Sequence, residues 1–209
     1  MIKKILRSFV PQWVSNISKK VRGRINLYEW NKNGCPEPVP HIVKQMTIQE
    51  YQHQYGYEVF VETGTYMGDM VEAQKKRFKK IFSIELGVDL FNNAKKRFKN
   101  DKRITIVQGD SGKVLPKLLS EINEPAIFWL DGHYSAGITA KGEKECPIFE
   151  ELDAIFSSKK NNHILLIDDA RCFVGRGDYP SIDQLTEYIK SKNGKYQVEV
   201  KYDIIRYVV

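Results

Sequence analysis

The chain has 209 residues, with 33 Lys and Arg against 26 Asp and Glu, a formal net charge of +7 and a pI near 9.1. A hydrophobic fraction of 42% and a charged fraction of 28% exclude a wholly disordered, collagen-like or disulfide-scaffold chain. Cys35, Cys146 and Cys172 lack metal-ligand spacing and cannot all pair with one another, which is typical of a reducing, cytoplasmic setting.

The positive charge is concentrated at the N-terminus. Residues 1–50 carry nine basic and three acidic side chains, whereas the other 159 residues carry 24 and 23. We therefore predict a basic arm with a proline-rich linker over residues 1–46 and one domain over residues 47–209. The nearly neutral domain disfavours nucleic acid as a partner.

The first residues of the arm have an amphipathic pattern. Ile2, Ile5, Leu6 and Phe9 fall at helical spacing among basic residues. The pattern favours a helix that packs on its own domain or on a second copy in a homo-oligomer. The alternative is peripheral contact with an anionic membrane through residues 1–24.

The predicted elements begin with a helix that opens at Thr47, which has capping-box spacing to Glu50, and ends near Gly56. From residue 57 onward, apolar runs alternate with helical patterns. Strands are predicted at Tyr57–Val61, Ile81–Ile84, Ile104–Val107, Ala126–Leu130, Ile164–Ile167, Tyr196–Tyr202 and Ile204–Val208. Helices are predicted at Asp69–Phe78, Val88–Phe98, Ser111–Ile122, Pro147–Phe156 and Ile182–Ser191.

This alternation predicts the fold class. Strands separated by helices form right-handed βαβ units, and these build a parallel sheet covered on both faces. The last two strands are only about one residue apart around Asp203, so they must pair antiparallel. We predict an α/β, doubly wound, mostly parallel seven-stranded sheet with one antiparallel strand near the C-terminus, preceded by the basic arm.

Polar residues follow each of the first three predicted strands. Such residues at the carboxyl ends of parallel strands predict a nucleoside-binding crevice, in which an acid about 20 residues after the glycines accepts the ribose hydroxyls. Asp110 is explained almost equally well as a helix N-cap. The candidate cofactor-binding residues are Glu62, Gly64, Thr65 and Gly68 after the first strand, Glu85 after the second, and Asp110 and Ser111 after the third.

The glycine spacing separates two nucleoside cofactors. Gly64-x-x-x-Gly68 lacks the dinucleotide fingerprint, and Glu62 would repel a pyrophosphate but suits the cationic amino-acid part of S-adenosylmethionine. Over about residues 57–209 the chain resembles the class I S-adenosylmethionine-dependent methyltransferases, with Glu85 as the ribose-binding acid and Asp110 on the adenine side. An NAD-dependent oxidoreductase remains the alternative enzyme.

Three aspartates follow the next two strands. Asp131 ends the fourth strand, and Asp168 and Asp169 end the fifth, so neighbouring strands should bring them together. Converging carboxylates need a cation or protons, and oxygen ligands suit Mg²⁺ or a similar ion. Asp168 and Asp169 can share an ion only if the strand bends there; otherwise one of them caps a turn.

The residues Asp131-Gly132-His133-Tyr134 and Asp168-Asp169 are most similar to the macrocin-type sugar O-methyltransferases. That resemblance implies Mg²⁺ held by Asp131, Asp168 and Asp169, and a sugar or other small polar acceptor. The catalytic candidates are Asp131, which also faces the cofactor, and His133. His133 is a general base, a further metal ligand or an ordinary loop histidine.

Two further features are expected to border the substrate. The loop Ser135–Glu145 is long and polar and predicts a lid, whereas Phe173 and Tyr179 either stack on substrate or pack in the protein. A different class of function, a non-catalytic membrane-surface or nucleic-acid binding module that uses the basic N-terminus, stays open beside the enzyme.

Overall fold

Two helices precede the sheet in the computed structural model, which describes residues 12–132, 144–158 and 162–209. Helix α1 spans Gln12–Lys32 and helix α2 spans His41–Tyr55. Within the described residues, no helix has both the length and the apolar character needed to cross a membrane.

The sheet has seven strands, which are β1 (Val59–Thr63), β2 (Lys80–Glu85), β3 (Ile104–Gln108), β4 (Ala126–Leu130), β5 (Ile164–Ile167), β8 (Gln197–Lys201) and β9 (Ile204–Val208). They lie in the order β3-β2-β1-β4-β5-β9-β8. Strands β1 to β5 pair with one another in parallel, and β9 pairs antiparallel with both β5 and β8. The predicted fold class is confirmed, and the order reverses beside β1, where ligands bind in open α/β sheets.

Helices cover both faces of the sheet. These are α3 (Asp69–Gln74), α4 (Val88–Phe98), α5 (Ser111–Leu119), α6 (Ile148–Phe156) and α7 (Ile182–Lys192). On one face, Ile48 of α2 and Val71 of α3 pack with Phe60 and Trp129. On the other, the helices α5, α6 and α7 pack on strand residues such as Phe128. Successive strand residues alternate between these two cores.

The predicted start of the first helix was wrong. Helix α2 begins at His41, with Pro40 at the N-cap, and Thr47 lies inside it with its hydroxyl donating to the carbonyl of Val43 at 3.1 Å. Its end at Gly56, in the left-handed conformation, is as predicted. The division expected between residues 46 and 47 therefore falls within a continuous helix.

Other boundaries differ by a few residues. Helix α3 stops at Gln74 and α5 at Leu119, both earlier than predicted. Strand β1 extends to Thr63, so Glu62 belongs to the strand and not to the turn after it. A short antiparallel hairpin, β6 (Val174–Arg176) and β7 (Tyr179–Ser181), was not predicted.

Candidate active site

The end of β1 holds a fully buried carboxyl group. Glu62 is 2% exposed and lies beside Ser83 of β2, whose hydroxyl donates to it. Thr65 Oγ1 lies 2.6 Å from the same hydroxyl. Burial raises the pKa of Glu62 to about 8, and the charge of Glu85 adds to the rise, while the Ser83 hydrogen bond opposes it. Glu62 is thus largely protonated at neutral pH.

Glu85, at the end of β2, is held by the backbone. One carboxylate oxygen accepts the amide N–H of Tyr66 at 2.7 Å and the other accepts that of Gly87 at 2.8 Å. These two bonds leave further lone pairs on both oxygens, which suits the acceptance of a pair of vicinal hydroxyls. The carboxylate is therefore fixed against the turn that follows β1.

Gly64 and Gly68, both predicted to bind the cofactor, lie where the backbone conformation and close neighbouring atoms leave no room for a Cβ. Gly64 has φ +87°, and a Cβ there would lie 2.3 Å from the carbonyl oxygen of Asp131. Gly68 has φ +73° at the N-cap of α3, and a Cβ there would lie 2.7 Å from the ring of Phe98. Gly64 thus lets the ends of β1 and β4 approach closely, and Gly68 is needed for packing.

Asp110 caps helix α5, as one of the two sequence interpretations proposed. Its side chain accepts the N–H of Gly112 at 3.0 Å. The next residue, Ser111, donates its hydroxyl to Glu151 of α6 at 2.5 Å. Glu151 is 2% exposed, and its carboxylate would lie 2.7 Å from a Cβ on Gly132. A buried carboxylate that sequence reasoning missed therefore adjoins the ends of β3 and β4.

The three predicted aspartates converge. Ligand atoms of Asp131, Asp168 and Asp169 lie within 4.8 Å of one another. Asp131 follows Trp129 by two residues and Asp168 likewise follows Leu166, so alternation brings both carboxylates to the face on which α2 packs.

A left-handed residue supplies the bend that this convergence needs. Asp169 has φ 54° and ψ 51°, and its N–H donates to Asp168 Oδ1 at 2.8 Å. Aspartate tolerates this conformation better than most residues. Without the bend, alternation would send Asp169 to the opposite face of the sheet.

A lysine from the N-terminal helices contacts this cluster. Lys44 Nζ of α2 lies 2.5 Å from Asp168 Oδ2 and 3.2 Å from Asp169 Oδ1. Arg171 approaches from the other side, with Nη1 2.9 Å from Asp169 Oδ1. Two cationic side chains of the protein thus contact the cluster.

The pKa shifts reflect this balance of burial and charge. Burial alone would lower the pKa of Lys44, but the pKa is raised because Asp168, Asp169 and Asp131 attract the ammonium. The pKa of Asp168 is raised chiefly by burial, against the opposing effect of Lys44. Uncompensated negative charge is therefore costly here, and the cluster retains a cation or a proton.

The donor set fits a divalent, oxygen-preferring ion in its chemistry. Three carboxylates at these separations match the ligands that Mg²⁺ or Mn²⁺ takes in proteins. The ammonium of Lys44 already contacts two of them, so an ion bound there would have to share or displace it. No feature of the local sequence identifies Lys44 as a member of the site.

Other predicted site features have different outcomes. Phe173 is 3% exposed and packs edge-on against Tyr179, with ring centroids 5.7 Å apart, so both belong to the core packing. His133 lies outside the described residues, as do most of the predicted lid Ser135–Glu145 and residues 2–9.

Comparison with known proteins identifies the fold. No protein-family model and no curated protein matches the chain by sequence. Among solved structures, it is similar to the methyltransferase PaMTH1 of Podospora anserina with S-adenosylhomocysteine bound (TM-score 0.55, 12% identity, 96% of each chain covered).

Two further structures share the fold. They are the O-methyltransferase TomG of Streptomyces achromogenes with S-adenosylmethionine (TM-score 0.54, 11% identity, 86% of each chain) and an O-methyltransferase of Bacillus cereus with S-adenosylhomocysteine (TM-score 0.51, 13% identity, 89% of this chain and 90% of that one). The chain therefore has the Rossmann-like methyltransferase fold.

Proposed function

We propose that the chain is an S-adenosylmethionine-dependent O-methyltransferase. The observation that carries this is the fixed carboxylate of Glu85 beside the Gly64 turn, at the carboxyl ends of a sheet whose fold is shared with structures that hold this cofactor or its product. Glu85 would bind the ribose hydroxyls, and Asp110 and Ser111 would border the adenine. Glu62 would neighbour the amino-acid portion.

The cofactor, when bound, supplies an activated methyl group on a sulfonium. The protein's residues then have to position an acceptor hydroxyl in line with that methyl group, and this positioning supplies much of the acceleration. We assign that region to the end of β4 at Asp131, since its N–H is bonded to Thr63 Oγ1 at 3.2 Å and the strand end is thereby fixed. His133, two residues further along the chain, remains the proposed base.

We also propose that the reaction is metal-assisted. Asp131, Asp168 and Asp169 would hold Mg²⁺ or Mn²⁺, which would lower the pKa of a bound hydroxyl. Support for this comes from the donor set and the left-handed turn at Asp169. A sugar or other small polar molecule is the proposed acceptor, on the resemblance of Asp131-Gly132-His133-Tyr134 and Asp168-Asp169 to the macrocin-type sugar O-methyltransferases. Its hydroxyl would need such activation because it is a poor nucleophile at neutral pH.

The cofactor proposal is tested by Glu85→Gln. A side-chain amide replaces one of the oxygens that accept backbone N–H groups, so we expect about a tenfold or larger loss of S-adenosylhomocysteine affinity in calorimetry. The matched control is Glu58→Gln, which removes a carboxylate that pairs with Lys79 and should leave the affinity unchanged.

Two results would contradict the proposal. One is binding of NADH, but not of S-adenosylhomocysteine, by the unaltered protein. The other is S-adenosylhomocysteine binding that Glu85→Gln leaves unchanged. The metal proposal has its own test, which is transfer of a labelled methyl group in the presence of EDTA. Full transfer under that condition would exclude a required divalent ion.

A further inference from the structure

Helix α1 carries an apolar stripe that faces away from the protein. We name as the α1 stripe the side chains of Ile17, Val21, Ile25 and Tyr28, which are 55%, 55%, 51% and 70% exposed. They follow one another at intervals of four, four and three residues, which places them on one face of the helix. Ile17 and Val21 lie within residues 1–24, for which the sequence analysis left contact with an anionic membrane as the alternative, and Ile25 and Tyr28 extend the stripe beyond that segment.

The opposite face of α1 already has its packing partners. Trp30 is 7% exposed and lies edge-on to Tyr202, with ring centroids 5.1 Å apart. Gly23 faces Ile42 of α2, since a Cβ on it would lie 3.7 Å from that side chain. Helix α1 thus packs on the domain through one side, and the α1 stripe on the other side is exposed.

Basic residues flank the α1 stripe. Helix α1 has five basic side chains and one acidic one. Of the basic ones, Lys19 forms an ion pair with Asp69, with Nζ 2.6 Å from Oδ1. The remaining four, Lys20, Arg22, Arg24 and Lys32, are all exposed. An exposed apolar face bordered by Lys and Arg is the pattern of a helix that lies in the plane of an anionic membrane.

We propose that the α1 stripe docks this protein on an anionic membrane surface. The apolar side chains would enter the boundary between headgroups and acyl chains, the ring of Tyr28 would sit at the headgroup level, and Arg24 with its basic neighbours would contact lipid phosphates. This inference does not depend on the proposed catalytic activity.

A second copy of the chain fits the α1 stripe less well. A symmetric contact of α1 on α1 would bring two helices of net charge +4 together, and like charges in apposition disfavour association. Four side chains also form a narrow strip compared with the roughly 800 Å² per partner that a stable interface buries.

The test is co-sedimentation of the full chain with vesicles of phosphatidylcholine alone and of phosphatidylcholine mixed with phosphatidylglycerol. We expect binding to the anionic vesicles that weakens as salt is added, because surface charges are screened. Replacing both Val21 and Ile25 by Asn should reduce the partition coefficient about tenfold or more. Arg24→Gln should reduce it about fivefold on the anionic vesicles only.

The matched control replaces Val198 and Val200, which are exposed on the edge strand β8, by Asn. That pair should bind vesicles like the unaltered protein, and circular dichroism should show that both double variants are folded. The proposal is overturned if the unaltered protein does not bind anionic vesicles, or if the Val21 and Ile25 variant binds equally well. It is also overturned if sedimentation equilibrium shows a dimer that this variant dissociates.

Discussion

At the scale of single residues, Lys44 most changes the chemistry expected of the strand ends. Three converging carboxylates suggest a metal ion, yet Lys44 Nζ is already 2.5 Å from Asp168 Oδ2. Its side chain is 15% exposed and that of Asp168 only 2%, so water screens the pair weakly. An ammonium and a divalent cation would compete for the same oxygens.

Replacement of Lys44 by Met should therefore have opposite effects on stability and on metal affinity. Loss of one member of a largely buried ion pair should cost the unliganded protein roughly 3–5 kcal/mol of unfolding free energy. The three carboxylates, freed of the ammonium, should bind Mn²⁺ about tenfold more tightly or better, and Mn²⁺ should restore part of the lost stability. Electron paramagnetic resonance and thermal melts with and without Mn²⁺ measure the two effects.

Lys19→Met is the control, because its partner Asp69 is 33% exposed and surface pairs contribute at most about 1 kcal/mol. Its Mn²⁺ affinity should equal that of the unaltered protein. Weaker Mn²⁺ binding by the Lys44→Met protein would show that Lys44 supports the carboxylates and does not compete for them.

Glu62 gives a pH-dependent prediction at the same scale. Its folded pKa, about 8, exceeds the ordinary 4.5, so the protonated form is the one that stabilises the fold. That stability is fully present below pH 4.5, declines as the unfolded chain ionises, and is lost once the pH passes about 8. Each unit by which the pKa is raised corresponds to about 1.4 kcal/mol.

Glu62→Gln should remove this dependence, since an amide is neutral throughout. We expect the melting temperature of the variant to exceed that of the unaltered protein by several degrees more at pH 9 than at pH 5. Glu58→Gln, at a side chain that is 43% exposed, should show no such trend. A difference between the Glu62→Gln and unaltered proteins that stays constant across this range would mean that Glu62 ionises normally in the fold.

At the scale of elements, the turn between β8 and β9 fixes the turn that follows β5. Tyr202 and Asp203 both have φ 56°, which makes a two-residue hairpin turn. Asp203 is 1% exposed; it accepts the N–H of Arg171 at 2.9 Å and also contacts its guanidinium, while its carbonyl accepts the N–H of Ala170 at 2.9 Å. The aspartates of the candidate site thus depend on a hairpin far along the chain.

Replacement of Asp203 by Ala should accordingly loosen the site and lower its stability. It removes the acceptor of the Arg171 N–H and one of the two carboxylates that contact its guanidinium, and we expect a loss of about 2–4 kcal/mol of unfolding free energy in urea titration. Asp183→Ala, in the first turn of α7, is the control and should cost less than 1 kcal/mol. Equal effects of the two changes would exclude the anchoring role.

At the scale of the whole molecule, the two N-terminal helices differ in how far they belong to the domain. Helix α2 contributes Ile48, which is fully buried, and Tyr51, which is 8% exposed, to the core beneath the sheet. Helix α1 adds mainly Trp30, in a small separate cluster with Val39 and Val43. Helix α2 is therefore part of the main core, whereas α1 is attached to the domain through a small cluster of its own.

Truncation should separate these two contributions. A chain that begins at residue 33 loses α1 and should still fold, with a melting temperature lower by several degrees, because it keeps the main core. A chain that begins at residue 57 also loses Ile48, Tyr51 and Lys44, and we expect it not to fold cooperatively. Circular dichroism melts of both chains provide the measurement, and cooperative melting of the shorter chain would contradict this division.

The periodicity of the sequence was sufficient to predict the sheet and the strand ends. Apolar runs of four or five residues, such as Ile164–Ile167, can be recognised locally because alternation and length are properties of neighbouring residues. The convergence of Asp131 with Asp168 followed from adjacency of successive strands. The start of α2 was missed because Thr47 has capping-box spacing but forms its hydrogen bond inside the helix.

The sequence by itself thus determined the fold class and which edge of the sheet carries the acidic residues. Only the tertiary structure decided how those residues are neutralised, since Lys44 and Asp168 lie 124 residues apart and Arg171 and Asp203 lie 32 apart. Such pairings leave no local pattern in the sequence, because they depend on how α2 packs across the sheet and on the position of the hairpin turn between β8 and β9. The tertiary structure likewise decided that α1, which carries +4 of the net charge of +7, packs through one face and exposes the other.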